Sequence, residues 1–192
     1  MCKLDVLIVC ALEREAQGFC DDYQVLYTGV GKVNATYSLL KYLSQKRPKF
    51  VINYGTAGSR DLPIGELVDC TRFVQRDMDK TGLGFERGVT AFEENIPTII
   101  DFSRSSHNLI GSNSLCGTGD NFVQEIGLEM DDIEVFDMEA YALAKVCYLE
   151  NIPFISYKFI SDNADNKADK DWTANVAKGA KIFRDQVLRV LR

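Results

Sequence analysis

A chain of 192 residues has the span of one ordinary domain, and folded compactly it buries about 70% of its unfolded surface without disulfide or metal staples. Its 22 basic and 28 acidic residues leave a net charge of −6, which excludes a broad electrostatic grip on nucleic acid or an anionic membrane and leaves room for a small anionic or neutral ligand. With 46% hydrophobic and 26% charged residues the composition is that of a folded globular protein, and no apolar run approaches the roughly 20 residues of a membrane span.

Six cysteines, at 2, 10, 20, 70, 116 and 147, form no CxxC pair, and the single His107 has no neighbour at ligand spacing. The opening Met1-Cys2-Lys3-Leu4-Asp5 is no signal peptide, because acidic Asp5 borders only a short apolar run. These features predict reduced, mostly packed thiols in a cytoplasmic protein, with no zinc site and no cofactor.

In chain order, Leu4 to Ala11 is a short Val- and Ile-rich run that predicts a buried strand, and a new element begins at Leu12-Glu13-Arg14-Glu15. Val25 to Thr28 predicts a second strand that ends in Gly29-Val30-Gly31-Lys32. Asn34 to Ser44 follows with Tyr37, Leu40 and Leu43 at helical spacing. Phe50 to Tyr54 predicts a strand stopping at the turn Gly55-Thr56-Ala57-Gly58. From Arg60 to Asn113 only strand-like pieces emerge, around Leu67 to Val74 and Ile96 to Ile100. Ser114 to Gly119 leads into Asp120-Asn121-Phe122-Val123, and Val135 to Glu139 precedes a helix from Ala140 to Glu150. Ile152 to Ile160 predicts a core strand ending at Ser161-Asp162. A last helix carries Trp172, Val176, Phe183, Val187, Val190 and Leu191, with its cap at Asp171 or a neighbour. This alternation predicts an α/β fold, a three-layer α/β/α sandwich with a mixed, largely parallel central sheet, and one domain spanning residues 1–192.

In such folds ligands bind beyond the carboxyl ends of the strands. The polar residues after each apolar run are therefore the candidates, and their buried carboxylates would be costly unless used. Each also has a plain structural reading. Glu13 and Glu15 suit a helix N-terminus, Gly29-Val30-Gly31 lacks the third glycine of a dinucleotide fingerprint, and Asp162 could cap a loop. His107 reads as a surface residue, and Trp172 suits a core position.

Taken in order, six segments resemble the purine nucleoside phosphorylase and nucleosidase superfamily, and most closely its 5′-methylthioadenosine/S-adenosylhomocysteine nucleosidases. They are Ala11-Leu12-Glu13-Arg14-Glu15, Thr28 to Ala35, Asn53 to Gly58, Gly119-Asp120-Asn121-Phe122-Val123, Asp137-Met138-Glu139-Ala140, and Ile160 to Asp165. The resemblance implies a nucleoside phosphorylase-like fold and hydrolysis of the N-glycosidic bond of an adenine 5′-thionucleoside. It assigns protonation of the leaving purine at N7 to Asp162, oriented by Ser161, activation of water to Glu15, and the ribose hydroxyls to Glu139. Met138 packs on the sugar, Phe122 stacks on the purine, and the Val123 backbone reads the base edge. Thr56 falls near the sugar beside Ala57 and Gly58, and Trp172 falls where the family has an aromatic residue over the 5′ end.

The resemblance further implies a purine nucleoside as small-molecule partner and a homodimer. Asn53-Tyr54 stand where phosphorylases place a phosphate-binding arginine, and Lys32 alone is too little charge for a dianion, so water is the expected nucleophile. The chain is also shorter than typical members, with the loss between Thr90 and Asn113. Lys158 replaces a usual arginine, and Tyr54 a small residue. The competing readings are a purine nucleosidase or phosphorylase for another nucleoside, and a catalytically inactive nucleoside-binding protein.

Overall fold

The computed structural model describes residues 5–16, 23–105, 107–124 and 132–191. Strands that are buried on both faces are nearly continuous in apolar residues, and here they are β1 (Val6–Cys10), β3 (Phe50–Gly58) and β8 (Phe154–Asp162). Shorter or more mixed segments form β2 (Gln24–Tyr27), β4 (Leu67–Gln75), β5 (Ile100–Asp101), β6 (Ser114–Thr118) and β7 (Val135–Asp137). Helices α1 (Lys32–Leu43) and α2 (Ala140–Leu149) interrupt the strands, and α3 (Ala168–Asn175) and α4 (Gly179–Phe183) follow them. Leu4, the predicted start of the first strand, and Cys2 and Cys20 lie outside the described residues. The other four cysteines are buried, and of these Cys70, Cys116 and Cys147 are free.

The class is mixed α/β with a central sheet. Pairings β1 with β2 and β3, β3 with β8, β4 with β6, and β6 with β7 are parallel, while β3 with β7, and β4 with β5 and β8, are antiparallel. The layering departs from the expected three-layer sandwich. Strands β3, β8, β4, β6 and β7 pair in a ring that returns to β3 through Gly58 and Phe136, so this part of the sheet closes like a barrel. The cause lies in the lengths of β3, β4 and β8. At nine residues each, they reach more than one neighbour: β8 runs beside β3 along its whole length and beside β4 over residues 156–159, and β4 continues beside β6 from Cys70 to Gln75, a property that element spacing does not reveal.

Alternation along the strands sorts the two larger of three core clusters, the third being Val74, Leu115, Val123, Ile133, Phe136 and Ala164. Leu7, Val9, Val51 and Ile160 pack with Ala35 and Leu39 of α1 and with α2. Val6, Ile8, Ile52, Tyr54, Ile155 and Tyr157 pack with Ala180, Phe183, Val187 and Leu188 from the C-terminal helical segment. Side chains successive on a strand point to opposite faces, which is why one chain direction serves both clusters.

Several expectations are corrected. The predicted turn at Gly55-Thr56-Ala57-Gly58 is strand, because β8 pairs with β3 up to Gly58, opposite Asp162. On α1 the buried residues are Ala35 and Leu39, whereas Tyr37 and Leu40 are exposed together with Val33. Ile96 stays outside the strands, and β5 is reduced to Ile100–Asp101. The single last helix is broken, beginning at Ala168 with Lys167 as its N-cap and Asp171 within its first turn. It resumes as α4 and a π-helical turn, Arg184–Leu188. The break lets α3 cross the strand ends while Gly179 meets the sheet so closely that a Cβ there would fall 2.4 Å from the Phe159 ring.

Candidate active site

A cavity of about 380 Å³ opens where the carboxyl ends of β3, β7 and β8 converge, within the usual size range for small-molecule sites. All eleven residues singled out from the sequence line it: Glu15, Thr56, Ala57, Gly58, Phe122, Val123, Met138, Glu139, Ser161, Asp162 and Trp172. His107 is elsewhere, half-buried and stacked on Phe50 at 4.0 Å between ring centres. Tyr54 also turns away from the cavity, to stack on Phe183 at 4.4 Å.

Glu15 sits in a short 3₁₀ turn after β1 and is only 4% exposed. Its Oε2 accepts from the Leu12 amide at 3.0 Å, and its Oε1 accepts from the Thr56 amide at 2.9 Å and the Thr56 hydroxyl at 2.8 Å. Three protein donors thus hold a carboxylate with about four lone-pair sites, leaving capacity for one more partner from the cavity.

Asp162 ends β8 and is 3% exposed. Its Oδ2 accepts from Ser161 Oγ at 2.8 Å and its Oδ1 from the Ala164 amide at 3.0 Å. Burial raises its pKa above the ordinary aspartate value; the two hydrogen bonds oppose the rise, and Asp171 and Asp165 add to it. The close approach depends on glycine, since a Cβ at Gly58 would lie 2.5 Å from Asp162 Oδ1.

Glu139 is the N-cap residue of α2 and is 8% exposed. Its Oε1 accepts from the Gly31 amide at 2.8 Å, one of the otherwise unpaired donors at the start of α1. Gly31 has φ 93°, a conformation suited to glycine. Burial, reinforced by the Asp137 charge, pushes the Glu139 pKa up from 4.5 to about 8. It can therefore hold its proton near neutrality.

Beneath the cavity lies a buried ion pair. Lys158 Nζ meets Asp137 Oδ2 at 2.8 Å, with both side chains 1% exposed. Asp137 also accepts from Thr118 Oγ1 at 2.5 Å and from the Ala140 amide at 2.8 Å. Burial alone would raise the Asp137 carboxyl, but Lys158 and these donors outweigh it and hold it below the usual range. Burial likewise works against the Lys158 charge, and Asp137 with the other nearby anions keeps it protonated. Lys158 and Glu15 approach the same point over Gly55, where a Cβ would lie 3.5 Å from Nζ and 3.4 Å from Oε1.

The loop carrying Phe122 is braced by Arg76, which sequence reasoning missed. Its guanidinium donates to Asn121 Oδ1 at 2.8 Å and to the Asn121 carbonyl at 2.6 Å. That positions the segment leading to Phe122, 42% exposed, and buried Val123. Arg76 follows β4 in the least regular stretch of sequence, so only the β4–β6 pairing brings it to residues 119–121. Lys32 is drawn off by Asp77 at 2.5 Å and Asp120 at 3.1 Å. Among the described residues no group of three or more His, Cys, Asp or Glu is arranged to hold a metal ion, and no helix is long and apolar enough to cross a membrane.

The sequence profile of the Phosphorylase superfamily matches residues 21–192. A 5′-methylthioadenosine/S-adenosylhomocysteine nucleosidase of Staphylococcus aureus (strain MRSA252) is 31% identical over 85% of this chain and 79% of its own length. The chain belongs to the 5′-methylthioadenosine/S-adenosylhomocysteine nucleosidases of the phosphorylase superfamily. Another nucleosidase of this family, from Staphylococcus carnosus (strain TM300), is 28% identical over 92% of this chain and 85% of its own. Among solved structures, the fold matches a Helicobacter pylori nucleosidase D198N mutant with 5′-methylthioadenosine in its active site. That match has a TM-score of 0.85 and 20% identity, and covers 98% of each chain. It also matches the futalosine hydrolase of Helicobacter pylori strain 26695, with a TM-score of 0.82 and 19% identity over 98% of this chain and 97% of the other. The superfamily match includes Glu139 and Asp162 and begins after Glu15.

Proposed function

We propose that the protein hydrolyses the N-glycosidic bond of an adenine 5′-thionucleoside, 5′-methylthioadenosine or S-adenosylhomocysteine, releasing adenine and the thioribose sugar. The observation that carries this reading is the convergence of three differently held carboxylates, Glu15, Glu139 and Asp162, on one cavity. Breaking the bond leaves an oxocarbenium-like sugar and an electron-rich purine, so a proton delivered to the base lowers the barrier most. Asp162, its pKa raised by burial, acts as that acid toward N7, with Ser161 orienting it. Glu15 takes the proton of the attacking water. Glu139 engages the ribose hydroxyls, Met138 packs on the sugar beside Thr56, Ala57 and Gly58, Phe122 stacks on the base, and the Val123 backbone meets its edge. Trp172 covers the 5′ substituent.

Water rather than phosphate is the nucleophile. Of the cations lining the cavity, Arg14 lies over the Trp172 ring and Arg76 braces residues 119–121, so neither is set to receive a dianion. The protein acts as a single domain, since one sheet links strands from Val6 to Asp162. The buried free thiols of Cys70, Cys116 and Cys147 support a cytoplasmic location. A homodimer is supported by the exposed apolar stripe Val33, Tyr37 and Leu40 on α1, near exposed Val30, because such patches favour burial against a partner.

Mass spectrometry of products from 5′-methylthioadenosine, S-adenosylhomocysteine, futalosine and inosine tests the assignment. Adenine from the two thionucleosides is expected in preference to base release from the others. A preference for futalosine or inosine would move the activity to another nucleoside, and binding of all four without turnover would leave only a binding protein.

A further inference from the structure

Trp172 is connected to Glu15 by an unbroken set of contacts. Its indole Nε1 donates to Thr56 Oγ1 at 2.9 Å, and Thr56 Oγ1 donates to Glu15 Oε1 at 2.8 Å. An indole N–H only donates, while a hydroxyl has one hydrogen and two lone pairs. With the indole aimed at its oxygen, the Thr56 hydroxyl is left to point its single hydrogen at Glu15. From the other direction Arg14, adjacent to Glu15 in the chain, places its guanidinium carbon 4.3 Å from the centre of the Trp172 ring, a cation–π contact. The α3 helix is thereby gripped at two points by the segments that carry and hold Glu15. A purely apolar cover could shut the cavity, but it could not orient that hydroxyl.

We propose that Trp172 is a positioning residue for Glu15. Seating its indole on Thr56 closes α3 over the cavity and fixes the hydroxyl on the carboxylate in one event, so the water-activating group is fully aligned only when the cover is shut. This inference rests on the reading of Glu15 as the base. The charged groups facing Glu15 from neighbouring elements, Lys158 from β8 and Glu139 from the start of α2, are fixed by their own contacts with Asp137 and Gly31, which leaves Thr56 as the adjustable partner.

The chain has a single tryptophan, so its emission reports this residue alone. In the unliganded protein, Thr56→Val removes the indole's acceptor and should shift the emission maximum and increase acrylamide quenching, whereas Thr56→Ser should restore both. Trp172→Phe keeps a ring for Arg14 but loses the N–H. It should lower kcat roughly five- to tenfold, the rate equivalent of one lost hydrogen bond, with little change in KM. Wild-type emission and quenching in Thr56→Val would overturn the connection whatever the substrate. A raised KM with unchanged kcat in Trp172→Phe would reduce Trp172 to a simple cover and also overturn it. The emission shift in Thr56→Val, seen alongside wild-type protein that releases no base, would support the connection while refuting the hydrolase reading.

Discussion

The two sides of the cavity are built differently. Its wall consists of strand ends and the start of α2, where Asp162 and Glu139 are nearly inaccessible and each carboxylate has fixed donors. Its cover consists of the loop carrying exposed Phe122 and of α3, whose half-buried Trp172 meets the wall through one hydrogen bond. A wall of paired strands tolerates little displacement, so it suits groups whose distances set the rate. A cover with few anchors can admit and release a ligand. Two side chains of α3 join the two sides, Trp172 through Thr56 and Asn175 through the Ser161 carbonyl at 2.9 Å.

The sharpest break in this comparison is on the wall. Asp162→Asn should lower kcat by about 10²- to 10⁴-fold, the usual contribution of a general acid, while altering KM far less. Equal losses in kcat and in substrate affinity would contradict its role. Because the acid must hold its proton, wild-type kcat should also fall as pH rises through the elevated Asp162 pKa, and steady-state rates across pH would show it.

Lys158→Met should destabilise the fold by about 3–5 kcal/mol, since it leaves Asp137 buried without its cation. Urea unfolding measures this, and a loss under 1 kcal/mol, about that of a surface pair, would show that the pair is dispensable. On the cover the effect should be smaller and of another kind. Phe122→Ala should raise KM about tenfold through lost stacking on the base and leave kcat near wild type, so a comparable loss in kcat would place Phe122 with the wall.

A further effect is on stability against pH. Glu139 holds its proton more tightly folded than unfolded, with a pKa of about 8 against 4.5. Its stabilising contribution is therefore complete below about 4.5 and is lost as pH rises through about 8. Melting temperature should drop across that window, and less in Glu139→Gln. An identical drop in the variant would assign the trend to other groups.

Much of this site was legible from the sequence because its residues directly follow apolar runs, and a strand end places the next polar side chain at the sheet's rim. Glu139 and Asp162 were visible as candidates for that reason, and the resemblance gave them their roles. The closed ring was hidden, since it depends on which strands β4 and β8 meet and on the Gly58–Phe136 pairing, and the true phase of α1 was hidden because Tyr37 and Leu40 share the helical spacing of buried residues while facing outward. Arg76 and the link from Trp172 through Thr56 to Glu15 were equally invisible. They join residues far apart in the chain, and only the assembled fold sets those distances.

Hydrolytic release of adenine is the central claim, and 5′-methylthioadenosine turnover measured with and without saturating inorganic phosphate tests it most directly. Adenine and free methylthioribose should form at the same rate in both buffers. Formation of the sugar 1-phosphate, or adenine release only when phosphate is present, would contradict it.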